Sequence, residues 1–189
     1  MTDFLPKDYS VPVSGGNYMK LQEGENEFRI LSTALVGYEY WNTENKPIRS
    51  REMWFTTPTD IKSNKDGTRS TIKHFWAFSV WNYGETAVQV LEITQSTIQS
   101  AIESLVKNPK WGNPKDYDIT ITRKGAGLDT EYSVVPNPKT ELDKEIIEQF
   151  KQKSPNLEAM LTGQDPFASK GKVDDKGMPK DIDASEIPF

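Results

Sequence analysis

The hydrophobic period of this chain changes twice, and those two changes constrain its fold more than any other feature. Up to about residue 95 apolar and polar residues alternate, the pattern of half-buried strands. Across TQSTIQSAIESLVKNP the apolar positions are Ile98, Ile102, Leu105 and Val106, a stripe with the 3.6-residue period of a helix. Ser96 with Gln99 has the spacing of a capping box, and Asn108-Pro109 stops the helix. Alternation then resumes in YDITITRK and DTEYSVVP, separated by the turn GAGL.

Before the helix, NYMKLQEGENEFRILSTALVGYEYW predicts a hairpin turning at EGEN, with Phe28, Ile30 and Leu31 entering a long strand that ends near Trp41. IRSREMWFT (48–56) reads as a strand with Arg49, Arg51, Met53 and Phe55 on one face, and DIKSNKDGTRST as an exposed loop. IKHFWAFSVWNY and TAVQVLEIT are two strands joined at Asn82-Tyr83-Gly84-Glu85. TELDKEIIEQFKQ is a short helix with Leu142, Ile146 and Phe150 spaced by four, and no structure is expected from about Thr162 onward. Strands, one helix, then two closing strands is the order of an OB-fold: mainly β with α elements, a five-stranded Greek-key barrel whose helix plugs one end. Here it carries an extra N-terminal hairpin and an extended connection between strands 1 and 2. The expected division is a barrel over 1–139, a helical segment over 140–161 and a disordered acidic tail over 162–189.

The chain has no cysteine, so thiolate metal sites and disulfides are excluded, which fits a reducing cytoplasm. Its start has no secretory layout, and no apolar run approaches the roughly 18 residues of a membrane span. The net charge of −5 is concentrated in the C-terminal part. Between Arg29 and Trp81 the balance reverses: Arg29, Lys46, Arg49, Arg51, Lys62, Lys65, Arg69 and Lys73 outnumber the acidic residues.

Catalysis finds little support. His74 is the only histidine and reads as a strand residue within KHFWAF; RKGAGLDT lacks the ending of a phosphate loop; Asp118 reads as part of a solvated strand face. No spacing of Asp, Glu or His suggests a metal site, and no cofactor is expected.

Aromatic residues carry more information. Trp41, Trp54, Phe55, Phe75, Trp76, Phe78, Trp81 and Tyr83 are interleaved with the basic cluster. On strand 73–83, His74, Trp76, Phe78 and Val80 alternate with Lys73, Phe75, Ala77, Ser79, Trp81 and Tyr83, so both faces are aromatic and only one can fill a barrel. Single-stranded nucleic acid suits the surplus: bases stack on rings, and Lys and Arg follow phosphates. The expected stacking residues are Trp54, Phe75 and Trp81. Phosphate contacts are expected from Arg49, Arg51, Lys62, Lys65, Arg69 and Lys73, with Arg123 and Lys124 on the opposite rim.

NYMKLQEGENEFRILS, KHFWAFSVWNY, QVLEITQSTIQSAI and YDITITRKGAGLDTEYSVVP together resemble the OB-fold single-stranded DNA-binding proteins of tailed bacteriophages, over about residues 17–138. DIDASEIPF is similar to the acidic Ile-Pro-Phe tip of bacterial single-stranded DNA-binding proteins, with Ala184 and Ser185 at positions that are usually acidic there. The resemblance implies a non-enzymatic, sequence-independent DNA coat for phage replication, recombination and repair, acting in the cytoplasm of an infected bacterial host. It also implies that Asp181, Asp183, Glu186, Ile187, Pro188 and Phe189 recruit a polymerase, helicase, nuclease or recombinase. The alternative is an OB-like adaptor that uses the tail to compete for host proteins without binding DNA; a nuclease is a third possibility.

A flexible anionic segment tethered to a basic groove competes with DNA phosphates at high effective concentration. Deleting residues 181–189 is therefore expected to strengthen oligonucleotide binding, most clearly at low salt, and to abolish partner docking, while Phe189→Ala alone loses most of that docking. Equal affinities of the shortened and full chains at low salt, measured by fluorescence titration, would remove the electrostatic role.

Overall fold

The computed structural model describes residues 16–168. Among these, eight strands form one sheet: β1 (Tyr18–Met19), β2 (Gly24–Ile30), β3 (Leu35–Trp41), β4 (Pro47–Ser50), β5 (Lys73–Asn82), β6 (Ala87–Ile93), β7 (Tyr117–Lys124) and β8 (Glu131–Lys139). Two helices accompany them, α1 (Ser96–Lys107) between β6 and β7, and α2 (Lys144–Lys153) after β8. The architecture is mainly β.

The ten-residue β5 organises the sheet. One edge pairs with β6 from Trp76 to Asn82. The other edge is shared: β2 takes Val80–Asn82 and β3 takes Lys73–Ala77. Between β2 and β3 the chain bends at Ser32, whose hydroxyl accepts the Ser79 N–H, while Leu31 N donates to Ser79 O. The long strand expected to run to Trp41 is thus two strands with a corner. β4 extends the sheet beyond β3, and Gly37 permits the approach: a Cβ there would lie 2.4 Å from Ser50 O.

The expected first hairpin is not formed. Alternation continues through EGEN, placing Asn26, Phe28 and Ile30 inward, so those residues belong to β2, and β1 instead pairs parallel to β6. Buried Asn26 is fully engaged: its Nδ2 donates to the carbonyls of Gln22, Gly24 and Ile121, and its Oδ1 accepts from Gln22 N. The expected strand 48–56 is shorter too: β4 pairs with β3 alone, from Pro47 opposite Trp41 to Ser50 opposite Tyr38, and ends there. At α1 no capping box forms; Gln99 is buried and donates to Ile93 O and His74 O instead.

The inner side holds Phe28, Ile30, Phe78, Val80, Leu91, Ile93, Tyr117, Ile119 and Ile121, closed at one end by Ile98 and Ile102 of α1. The outer side of β5 and β6 is equally buried. Ile146 of α2 joins Leu31, Trp81 and Val88, flanked by Leu142 and Phe150, while Met160, Leu157 and Leu161 from the turn Leu157–Thr162 cover Leu35, Phe75, Ala77 and Val90. Phe167 packs against both groups, so ordered packing extends past Thr162.

Arg29, expected among the cations of the basic middle, is 1% exposed. Its Nε donates to Asp118 at 2.6 Å, and its terminal nitrogens reach Lys115 O, Thr140 O and Thr140 Oγ1. Asp118 also accepts the Tyr83 hydroxyl at 3.0 Å, so it is a buried-cation partner rather than part of a solvated face. Burial and this carboxylate push the Tyr83 phenol up to about 12, which keeps it a donor. Removing one partner of a buried pair strands the other, at about 3–5 kcal/mol. Asp118→Ala is therefore expected to lose that much stability in equilibrium urea unfolding, and Arg29→Met combined with Asp118→Leu to lose clearly less. Equal losses would mean that the pair's attraction, not its desolvation, decides.

Candidate nucleic-acid interface

Alternation sends successive residues of β3 and β5 to opposite sides of the sheet. The antiparallel register sets Val36 opposite Trp76 and Tyr38 opposite His74 on one side. Farther along β5 that side is core, with Phe78 and Val80 buried, but its first part extends past the cover of α1. There His74 is exposed, Tyr38 and Trp76 are half-buried, and Val36 is 42% exposed. The Tyr38 and His74 rings are 5.3 Å apart between centroids, and those of His74 and Trp76 6.5 Å. Tyr40, next on this side of β3, is buried, held by its hydroxyl on Asp60 at 2.9 Å and met edge-on by half-buried Trp54 at 5.0 Å. The result is a band of partly open rings, Trp54, Tyr38, His74 and Trp76. Gln99 of α1 anchors it, donating to His74 O at 3.2 Å with its own Oε1 3.4 Å from His74 Nδ1.

The residues 61–70 rise from the end of β3 as a small irregular hairpin, bridged at Asn42 to Ile61 and at Ser63 to Arg69. Its cations Lys62, Lys65 and Arg69 are exposed, as is Lys73 where β5 begins. Lys62 donates to the Asn45 side chain; Lys65, Arg69 and Lys73 make no ion pair among the described residues. Arg51 is exposed and paired with Glu158. Trp54 joins the ring band through Tyr40, and the cationic loop is tied to the end of β3 by Lys62 N, which donates to Trp41 O at 2.8 Å. Arg123 lies opposite Gly24, at the end of β2 away from β3, and donates to Leu21 O; exposed Lys124 follows it there. The tail residues Asp181, Asp183, Glu186, Ile187, Pro188 and Phe189 lie outside the described residues.

Three expectations about this region are corrected. Phe75 is 0% and Trp81 6% exposed, because the C-terminal segment covers the side of β5 that was expected to be free. Arg49 is buried on the outer side beside Phe75: its Nε and Nη2 donate to Glu92 at 3.0 and 2.7 Å, its Nε lies 3.2 Å from Glu39, and its guanidinium stands 5.7 Å from the Phe75 ring. Tyr38 and the outward placement of His74 and Trp76 were missed. Also missed was the tip of the segment after β4, where Phe55 is fully exposed and Met53 half-exposed. The usable signal was the spacing of Leu142, Ile146 and Phe150: an amphipathic helix needs an apolar surface, and the second face of β5 supplies it.

No family model and no solved structure matches the chain. The chain is 28% identical over 156 residues to a protein of Escherichia phage T5 named "Probable ssDNA-binding protein", an alignment covering 69% of this chain. It spans 60% of the length of that curated relative.

The Arg49 cluster has a pH signature. Burial and the neighbouring Glu92 carboxylate push the Glu39 carboxyl from its ordinary 4.5 up to about 7, against the pull of Arg49. Since the folded value is raised, the folded state keeps a proton that the unfolded chain releases. The associated stability is full below about 4.5 and lost as pH rises through about 7. Relative to Glu39→Gln, the wild-type chain is expected to lose stability between about pH 5 and pH 8 in urea unfolding. A wild-type advantage that instead grows with pH would show that Arg49 holds Glu39 ionised.

Proposed function

We propose that this chain is a non-catalytic protein that binds single-stranded DNA without sequence preference, of the phage type, serving replication, recombination and repair in the cytoplasm of an infected bacterial host. The observation that carries the reading is the juxtaposition of a partly open ring band with an exposed cationic loop, both anchored at the β3–β5 pair. Rings take the faces of unstacked bases at about 1–3 kcal/mol each, and the loop follows the phosphates. A net charge of −5 does not oppose this, because the cations are local and the acidic excess lies toward the C-terminus. Similarity to the phage T5 protein supports the same ligand.

The element order further supports an OB-type barrel. In that reading β2 and β3 together are its bent first strand, β5 and β6 the second and third, α1 the plug, and β7 and β8 the closing pair. β4 and residues 51–72 then elaborate the first connection, where this fold commonly grips ligands. Recruitment of replication and recombination proteins through residues 181–189 belongs to the same proposal.

Titrating the chain with an oligothymidylate is expected to quench tryptophan emission. If about four to six phosphates are neutralised, log K should fall against log salt with a slope near −3 to −4, and Lys65→Ala or Arg69→Ala should each reduce that slope by about 0.7. Tyr38→Ala and His74→Ala should each cost about 1–3 kcal/mol of binding with the fold intact. Phe75→Ala should instead lose about 3–5 kcal/mol of stability, as a core truncation does. A salt-independent affinity, or normal binding by both ring variants, would overturn the reading.

A further inference from the structure

The ring band does not end at Trp76. Beyond it, between the β2–β3 corner and α1, an open groove of about 480 Å3 runs inward, with Trp76 and Val36 on one wall and Ile102 and Val106 on the other. Its volume falls within the range of about 300–1,000 Å3 usual for small-molecule sites. The lining is mostly apolar, with Asn113 and Lys115 among its polar residues; Asn113 Oδ1 accepts from Lys115 N, while its Nδ2 makes no hydrogen bond among the described residues. Val36 at 42% and Val106 at 47% exposure leave large apolar groups facing water on both sides of one opening. Neither side chain is needed to close the inner core, which Ile98 and Ile102 already seal with exposures of 0% and 3%.

We infer that this groove seats one unpaired nucleobase at the end of the ring band, making it a base-insertion site. The inference rests on the single-stranded DNA reading and adds a location and a requirement to it. Continuity commits the groove to this occupant: Trp76 is both the last ring of the band and a wall of the groove, so a strand stacking along Tyr38 and His74 is delivered to the opening. The chemistry agrees. A base is a flat ring that gains by leaving water between a tryptophan and aliphatic side chains, while its polar edge needs partners, which the Asn113 Nδ2 of the lining supplies as a donor. The phosphate that follows an inserted base remains outside, and Lys115 is the cation that the lining offers it. A paired base cannot enter without leaving its duplex, so the groove discriminates single strands from duplexes by geometry rather than by charge.

The test uses the full chain with two ligands of equal length, an oligothymidylate and a base-free deoxyribose-phosphate oligomer. Val106→Glu puts a carboxylate at the opening on an exposed helix position. Val135→Glu makes the same charge change at a 53% exposed valine of β8, outside the groove lining. Val106→Glu is expected to weaken oligothymidylate binding about tenfold or more relative to Val135→Glu, the equivalent of losing one stacked base, with equal affinities of the two variants for the base-free oligomer. Circular dichroism and unfolding midpoints confirm that both variants fold. If the two variants bind oligothymidylate alike while the wild-type chain binds it tightly, the groove holds no base and the broader reading stands. If both variants lose affinity for both ligands in parallel, the effect is charge alone and the insertion site is overturned. A wild-type chain that binds neither ligand removes both readings together.

Discussion

A single buried guanidinium holds the connections of this fold in place. Arg29 leaves β2 toward β7, and its hydrogen bonds reach Asp118 on β7, Lys115 just before it, and Thr140 just after β8. Asp118 then accepts from Tyr83 in the β5–β6 turn. Burying a charge costs several kcal/mol unless its donors are answered, and here four hydrogen bonds answer it from two stretches of chain, residues 115–118 and Thr140. Such a group tolerates few alternative arrangements, because any shift of one partner leaves a buried donor unmet. The pair is therefore a statement about uniqueness more than about net stability. It fixes the chain at Thr140, and so determines where the C-terminal segment begins its path across the sheet.

That path decides which side of β5 is available for function. From Thr140, α2 and the turn Leu157–Thr162 lie along the outer side of β5 and β6, taking up Trp81, Phe75 and Ala77. The inner side is filled by the chain's own core until α1 ends its cover. What remains uncovered is the overhang of β3 and the first residues of β5, where Tyr38, His74 and Trp76 stand. The overhang exists because β5 is longer than β2 can pair, so β3 extends the shared edge past the corner at Ser32. A surface for rings is thus a by-product of unequal strand lengths, anchored by the side chain of Gln99.

Much of this was legible in the chain itself. The change of period located α1, the Asn82–Glu85 turn joined β5 to β6, and GAGL joined β7 to β8, because each depends on local patterning that tertiary contacts reinforce. The first hairpin was misread because Gly24 and Asn26 look like turn formers, whereas Asn26 is a strand residue whose polar side chain is satisfied by distant backbone. The site was only half legible. Exposed cations in a loop without apolar residues follow from composition, and Lys62, Lys65 and Arg69 are where that argument put them. The choice between two aromatic faces does not, since alternation distinguishes sides without saying which side is covered. Arg49 and Arg29 were misjudged for the same reason: a charge is visible in sequence, but the carboxylate that buries with it sits on another strand.

The same segment that removes Phe75 and Trp81 from the surface also organises the electrostatics. The described part of that segment, residues 141–168, carries Glu141, Asp143, Glu145, Glu148, Glu158 and Asp165, and its packing against the outer side of the sheet keeps it on the opposite side from the ring band. Where the two regions meet, Arg51 pairs with Glu158 in the open, and Arg49 pairs with Glu92 and Glu39 beneath. An exposed pair such as Arg51–Glu158 contributes only about 0–1 kcal/mol, so Glu158 is a weak partner for Arg51. The buried Arg49 has no such freedom, since leaving Glu92 and Glu39 would strand its own guanidinium without partners beneath the surface. The boundary therefore has two layers with different duties. The inner one ties β3, β4 and β6 together at all times, whereas the outer one, exposed to water, opens at little cost without disturbing the sheet that carries the rings.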